Sequence, residues 1–235
     1  MSAAVMFHPP KHQIQRFVEG ELSAGMSVAL SAHMEFCADC RRTAGAAEAE
    51  LVAQWNAKEA LQSPADLTGI LDAITQQPQE RANTPSTPVS RKLVVDDQVI
   101  SLPRVLAQIA SAGLNWKTVS NGIRSAKVDL DTDTTCEFIH MQPGSMTSLP
   151  QHSHRGNEVM LVLDGKFSDE MGEYGASDFV IRDPAHRHQP RTETGCICFS
   201  VLDSPLVFTE GWLRLWNPIG LALFQLTRWR RRKLI

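Results

Sequence analysis

Between residues 10 and 75 the apolar side chains recur every three or four positions. Ile14, Phe17, Val18 and Leu22 form one stripe over Gln13 to Leu22, and Val28, Leu30 and Met34 form a second. Ser23 is placed to cap that second helix. Asp39 is placed to cap a third, running roughly from Cys40 to Leu61 and rich in Ala and Glu. Ser63-Pro64-Ala65-Asp66 opens a fourth with a capping hydroxyl, a proline at the first helical position and an acid in the first turn. Its apolar stripe is Leu67, Ile70, Leu71 and Ile74.

The pattern then stops. Residues 76–90, QQPQERANTPSTPVS, carry Val89 as their one large apolar side chain and read as a linker stiffened by prolines. Past it, a short helix near Pro103 to Ala112 leads into short alternating or β-branched runs. These are Ala126 to Leu130, Thr135 to Met141, Glu158 to Leu163, Asp178 to Arg182 and Cys196 to Leu202. Turn signals separate them at Pro143-Gly144, Asp164-Gly165, Gly172, Gly175, Asp183-Pro184 and Gly195. The fold class predicted is α+β, divided into a helical domain over 1–75, the linker 76–90, an all-β barrel or sandwich over 91–218 and a basic tail over 219–235. The two domains are expected to fold separately and meet through a limited interface.

Composition narrows the function classes. The formal net charge of −3 gives no global field to draw the chain onto nucleic acid. The one basic cluster, Arg228, Arg230, Arg231, Arg232 and Lys233 around Trp229, reads as a solvated tail. The longest apolar stretch, Ile219 to Leu226, is far short of the about 20 residues a membrane span requires. Met1 to Pro10 lacks the basic and apolar regions of a secretory signal, so a cytoplasmic chain is expected. The five cysteines then read as thiols or metal ligands rather than disulfides. Cys196 and Cys198 fit small core residues, with redox-sensitive thiols as the alternative.

Two constellations carry chemistry. His33, Cys37 and Cys40 have the spacing H-x3-C-x2-C. Four residues apart on a helix, His33 and Cys37 share a face, and Cys40 follows across a turn. Mixed thiolate and imidazole donors suit zinc, which takes four ligands in a closed site. The fourth is expected from His8, which precedes Pro9-Pro10, with His12 as competitor. The second constellation is His152, His154 and Glu158, an H-x-H-x3-E run. Positions two apart share a strand face, so both imidazoles point together and Glu158 can join them from the next strand. That donor set suits zinc or another divalent transition metal. A further ligand is expected from His186-Arg187-His188, read as two histidines on one strand face.

His8, His33, Cys37 and Cys40, ahead of a capped fourth helix, resemble the zinc-binding anti-sigma domain family over roughly the first 75 residues. The stretch from Gly144 through His152, His154 and Glu158 to Gly165 resembles the first motif of the cupin family. The second motif is degenerate: His186 stands where a glycine is usual and the terminal Asn is missing. The His-Gln-Pro run at 188 to 190 is similar to the metal-binding run of cupin-type anti-sigma sensors, which favours His188 as the last ligand. Together these imply a zinc-stapled helical bundle followed by a jelly-roll cupin barrel. The resemblance implies a non-enzymatic anti-sigma factor that holds an extracytoplasmic-function sigma factor. Leu67, Ile70, Leu71 and Ile74 are then candidate sigma contacts. It also implies release by an oxidant, singlet oxygen or an organic peroxide, sensed by the barrel. A metal-dependent cupin enzyme such as a dioxygenase is the alternative. It leaves the H-x3-C-x2-C segment and the linker without a task.

Overall fold

The computed structural model describes residues 5–57, 67–78, 89–131, 133–144, 147–204 and 206–208. The start signal at 63–66, most of the expected linker and the basic tail lie outside the described residues.

The helical half begins with α1 (Lys11–Val18), which closes at Gly20 in the left-handed region, φ 74°. This is earlier than the stripe alone indicates, because Pro10 starts the helix and Gly20 ends it. Helix α2 (Ala24–Phe36) is capped by the Ser23 hydroxyl, which accepts from Met26 N at 3.3 Å. Helix α3 spans Ala38–Ala57. Its cap is Cys37 rather than Asp39: Cys37 is extended, and its Sγ accepts from the Cys40 backbone N–H. Asp39 instead lies in the first turn, where its charge suits the helix dipole. Helix α4 covers Leu67–Thr75.

The second half begins with a hairpin, β1 (Lys92–Val95) and β2 (Gln98–Ser101), which the pattern did not reveal, and continues with α5 (Arg104–Ala110). There follow β3 (Lys117–Ser120), β4 (Ile123–Val128), β5 (Thr135–Met141), β6 (Thr147–Ser148), β7 (His152–His154) and β8 (Glu158–Asp169). The series ends with β9 (Gly172–Gly175), β10 (Phe179–Arg182), β11 (Arg191–Thr192), β12 (Cys196–Leu202) and β13 (Leu206–Phe208). The main sheet runs β3-β4-β5-β12-β8-β11-β6, with β9 and β10 also on β8, and β13 pairs with β7. Every pairing is antiparallel. The long strand β8 is the organiser. Its first half pairs β10 and β12, its second half pairs β9, and it curls the sheet between them.

Gly165, expected in a turn, lies within β8 at φ 72°. A Cβ there would stand 2.1 Å from the Gly195 carbonyl oxygen. Only glycine lets the strand bend at this crossing, and so the strand continues six residues past Leu163 to Asp169 instead of stopping.

Alternation sorts the strands' side chains into two clusters. Met160, Val162, Ile139, Met141, Cys196 and Cys198 pack together inside the curl. Val159, Leu161, Phe138, Ile197, Phe199 and Val201 face the other way and join Ala29, Leu30 and Ala32 of α2. The buried apolar cluster therefore runs from the helices into the sheet. Polar contacts reinforce it. Glu35 of α2 accepts from Arg91 at 2.8 Å and from Arg104 N at 2.6 Å, while Asp131 accepts from Gly25 N at 3.1 Å.

Gly25 sits at the tightest approach of α2 to the sheet, where a Cβ would meet Cys136 Sγ at 2.5 Å and Thr134 Oγ1 at 2.7 Å. A Cβ on Gly45 in α3 would meet nothing within 4 Å. The same substitution should thus act with opposite sign. Gly25→Ala is expected to destabilise by about 1–3 kcal/mol through overpacking, and Gly45→Ala to stabilise by about 0.5–1 kcal/mol, both read from chemical denaturation midpoints.

Candidate metal centres

The first cluster gathers His8, His33, Cys37 and Cys40, whose donor atoms all lie within 4.8 Å of one another. His33 comes from α2, Cys37 from the α2–α3 junction, Cys40 from the first turn of α3 and His8 from the segment before α1. His33 Nε2 is 3.3 Å from Cys40 Sγ, and His8 Nδ1 is 3.4 Å and 3.5 Å from the two sulfurs. A tetrahedral zinc with bonds of about 2.0–2.3 Å sets its ligand atoms about 3.3–3.8 Å apart, so the spacing fits. The tautomer fits too. His33 Nδ1 lies 3.0 Å from the Ser177 carbonyl, to which it must donate, leaving the Nε2 lone pair facing the thiols. Burial drops His33 to about 4 and pushes Cys40 up to about 12, the latter aided by its contact with Cys37. Three of the four ligands are buried and His8 is exposed. His12, the competitor, lies exposed on α1 outside the cluster.

The second cluster gathers His152, His154, Glu158 and His188, all buried, inside the curl of the sheet. The first two stand on β7 and Glu158 opens β8. His188 is brought in by a backbone bridge to His152, each residue's N–H donating to the other's carbonyl at 3.1 Å. The expectation of two histidines on one strand face is corrected here. Residues 183–187 turn, and His186 pairs with Asp183 at 2.8 Å, away from the cluster. Asp183-Pro184 forces that turn, so only His188 re-enters the sheet.

Within the cluster His154 Nε2 is 3.1 Å from His188 Nε2, and the Glu158 carboxylate is 3.2 Å and 3.3 Å from those nitrogens. These separations match a nitrogen–oxygen shell around a divalent ion with bonds of about 2.1 Å. His152 Nδ1 bonds the Pro150 carbonyl at 2.8 Å, leaving its buried Nε2 without a hydrogen-bond partner. Burial holds His152 down at about 4. Burial would raise Glu158, but its histidine neighbours outweigh this and hold it well below the usual carboxylate range. Burial would likewise lower His188, but Asp169 and Glu158 raise it to about 9.

Behind His188 lies a network that sequence reasoning missed. Asp169 Oδ2 is 3.3 Å from His188 Nδ1 and accepts from Arg182 at 2.7 Å and 3.2 Å, while its Oδ1 accepts from Tyr174 Oη at 3.3 Å. A carboxylate behind a ligating histidine fixes its tautomer and raises its basicity. The signal was present in the alternation of Phe167 and Asp169, but it lay beyond Gly165, where the strand was expected to end. Cys196 and Cys198 are buried inside the same curl with Sγ atoms 4.0 Å apart. Among the sigma-contact candidates, Ile70, Leu71 and Ile74 are 50%, 60% and 60% exposed on α4, and the side chain of Leu67 lies outside the described residues.

Residues 105–204 match the family described as the ChrR Cupin-like domain. The anti-sigma-E factor ChrR of Cereibacter sphaeroides is 29% identical over 224 residues, covering 91% of this chain and 97% of that protein. The chain resembles ChrR along almost its whole length. A crystal structure of Rhodobacter sphaeroides SigE in complex with the anti-sigma ChrR shares the fold, with a TM-score of 0.67 at 24% identity, covering 85% of this chain and 99% of that one. An acetylacetone dioxygenase from Acinetobacter johnsonii matches at a TM-score of 0.39 and 15% identity, covering 50% of this chain and 87% of that one, a likeness too weak to bear on function. Among the described residues no helix is long and apolar enough to cross a membrane.

Metal analysis of purified variants separates the clusters. Cys40→Ser is expected to remove about one metal equivalent and leave the barrel equivalent in place. His188→Ala should remove the barrel equivalent, and His186→Ala should remove none. Asp169→Asn keeps all four barrel donors but loses the carboxylate behind His188. Its barrel metal affinity should fall about 10–100-fold in a chelator competition.

Proposed function

We propose that this chain is an anti-sigma factor. Its helical segment, residues 1–75, is stapled by zinc on His8, His33, Cys37 and Cys40 and sequesters an extracytoplasmic-function sigma factor. Its cupin segment, within residues 91–218, holds zinc or another divalent transition metal on His152, His154, Glu158 and His188 and governs release in response to an oxidant. The observation that carries this reading is the presence of two separate donor clusters in one chain that resembles ChrR over 91% of its length. An enzyme requires only the second cluster, so the chain acts as a regulator rather than a catalyst.

The physical roles divide accordingly. A bundle with so few buried apolar residues as Ile14, Ala29, Leu30, Ala32 and Ala44 needs additional cross-linking, and zinc supplies folding free energy in such domains. The apolar face of Ile70, Leu71 and Ile74 is solvent-exposed, as a docking surface for a protein partner must be before binding. Val52 and Trp55 of α3, 48% and 61% exposed, extend the apolar surface available on the helices. With a net charge of −3, inhibition works through the sigma protein and not through DNA. The proposed compartment is the cytoplasm, where that partner acts.

Release must come from a free-energy difference between bound and free states, and the barrel site is where an oxidant's differential contact is placed. Because α2 packs against the sheet, full-length variants test this better than fragments. Ile70→Asp with Ile74→Asp should weaken binding of the cognate sigma factor at least about tenfold while both metal equivalents persist. His154→Ala should still silence a sigma-dependent promoter but no longer respond to singlet oxygen or an organic hydroperoxide. Normal induction of the His154→Ala chain would refute the sensing role. Sigma binding unaffected by the α4 charges would refute the docking surface.

A further inference from the structure

We propose that the β9–β10 segment, which runs alongside β8, couples the two metal clusters, so that occupancy of the barrel sets how firmly the N-terminal site holds its ion. The proposal rests on the reading that both clusters bind metal, and it adds the route by which one is felt at the other.

This segment touches both sites through short contacts. On the barrel side, Asp169 holds His188 and is itself held by Arg182 of β10 and Tyr174 of β9. All three network side chains are buried: Asp169 is 7%, Arg182 6% and Tyr174 2% exposed. Arg182 Nη2 also donates to the Tyr174 hydroxyl, which closes a ring of hydrogen bonds. On the N-terminal side, the Asp178 carboxylate accepts from Met6 N at 2.8 Å and Phe7 N at 3.0 Å, and Phe179 N donates to the Phe7 carbonyl at 2.9 Å. The residue after Phe7 is the ligand His8. Ser177, held at φ 81°, presents its carbonyl to the ligand His33. Phe7 lies edge-on to Tyr174 with ring centroids 4.7 Å apart.

Two ligands of the first cluster are therefore positioned by residues 177–179, and one ligand of the second by Asp169 with Tyr174 and Arg182. Tyr174 belongs to both arrangements, bonded to Asp169 through its hydroxyl and packed on Phe7 through its ring. An ion in the barrel fixes His188 against Glu158 and His154. Without one, His188 Nε2 is left with hydrogen-bond and ion-pair contacts to His154 and Glu158 at 3.1–3.3 Å, a weaker restraint than a metal bond that lets the ring rotate. Asp169 cannot keep its bonds to His188, Arg182 and Tyr174 through that rotation, because buried hydrogen-bond networks rearrange as units. The Tyr174 ring then shifts against Phe7, and His8, the exposed ligand, loses its support. Coupling of this kind is reciprocal and is usually about 5–150-fold in affinity.

The test is a double-mutant cycle on the full-length chain, with cobalt as the probe. Thiolate-to-cobalt charge-transfer absorption reports the first cluster, because the second has no thiolate donor. Glu158→Gln removes the barrel's one anionic donor, cobalt stoichiometry showing that the barrel equivalent is lost, and Tyr174→Phe cuts the relay while keeping the ring. In the parent, Glu158→Gln should weaken cobalt binding at the thiolate site about fivefold or more. In the Tyr174→Phe background it should have no further effect. Phe7→Leu, which preserves bulk but removes the ring contact, should uncouple the sites in the same way. The proposal is overturned if Glu158→Gln has no effect in the parent, or has the same effect in all backgrounds. Cobalt stoichiometry separates this from failure of the underlying reading. Two equivalents, with the band lost in Cys40→Ser, uphold both sites, whereas a missing equivalent or a missing band sinks the two-site reading and the coupling with it.

Discussion

Eight side chains converge in two small clusters, seven of them buried, and each donor set fits a cation. Imidazole nitrogens 3.1 Å apart with a carboxylate at 3.2 Å and 3.3 Å, or two thiols 3.4 Å and 3.5 Å from an imidazole, satisfy one another by hydrogen bonds and leave the spacing a shared cation would need. Much of the surrounding architecture follows from that constraint. The His33 and His152 rings each donate their second nitrogen to a backbone carbonyl, which turns the remaining lone pair inward. The β7–His188 bridge exists to close the barrel set, and the Cys37 cap places both sulfurs at one end of α3. In both clusters, ligands close in sequence supply part of the set, and distant chain segments complete it.

That division explains what could be read from the sequence. The local parts were legible: H-x3-C-x2-C and H-x-H-x3-E have spacings whose geometry follows from helix and strand periodicity alone. Strands β5 and β12 were legible to the residue because each is a hydrophobic run ended by turn residues. The completing parts were not. Nothing in spacing separates His8 from His12. The decision is made by Asp178 and Phe179, some 170 residues away, which hold the backbone of Met6 and Phe7. His186 and His188 differ only in which side of a turn they fall.

Other misses have a similar cause. Asp39 was the better cap by residue type, yet Cys37 takes the position, because its sulfur accepts the Cys40 N–H. Gly165 carries a turn residue's signature and serves as a bend within β8, since its neighbour across the sheet is Gly195. The hairpin β1–β2 has an alternating pattern too short to be distinguished from the linker's end. It is stabilised from outside, through Asp96 at its turn bonding Arg124 and Gln142. Tertiary context, not local propensity, settled each of these positions.

The unequal exposure of the first cluster sets the order of events in ligand exchange. Three donors are sealed within the protein and one, His8, faces water. With an ion bound there, a competing chelator or an incoming oxidant would have one open edge to approach, at His8, and the two buried sulfurs would become reachable after that imidazole had left. Kinetic lability at such a centre would be governed by the ligand on a short tether, its thermodynamic depth by the buried sulfurs, and the two could be tuned independently.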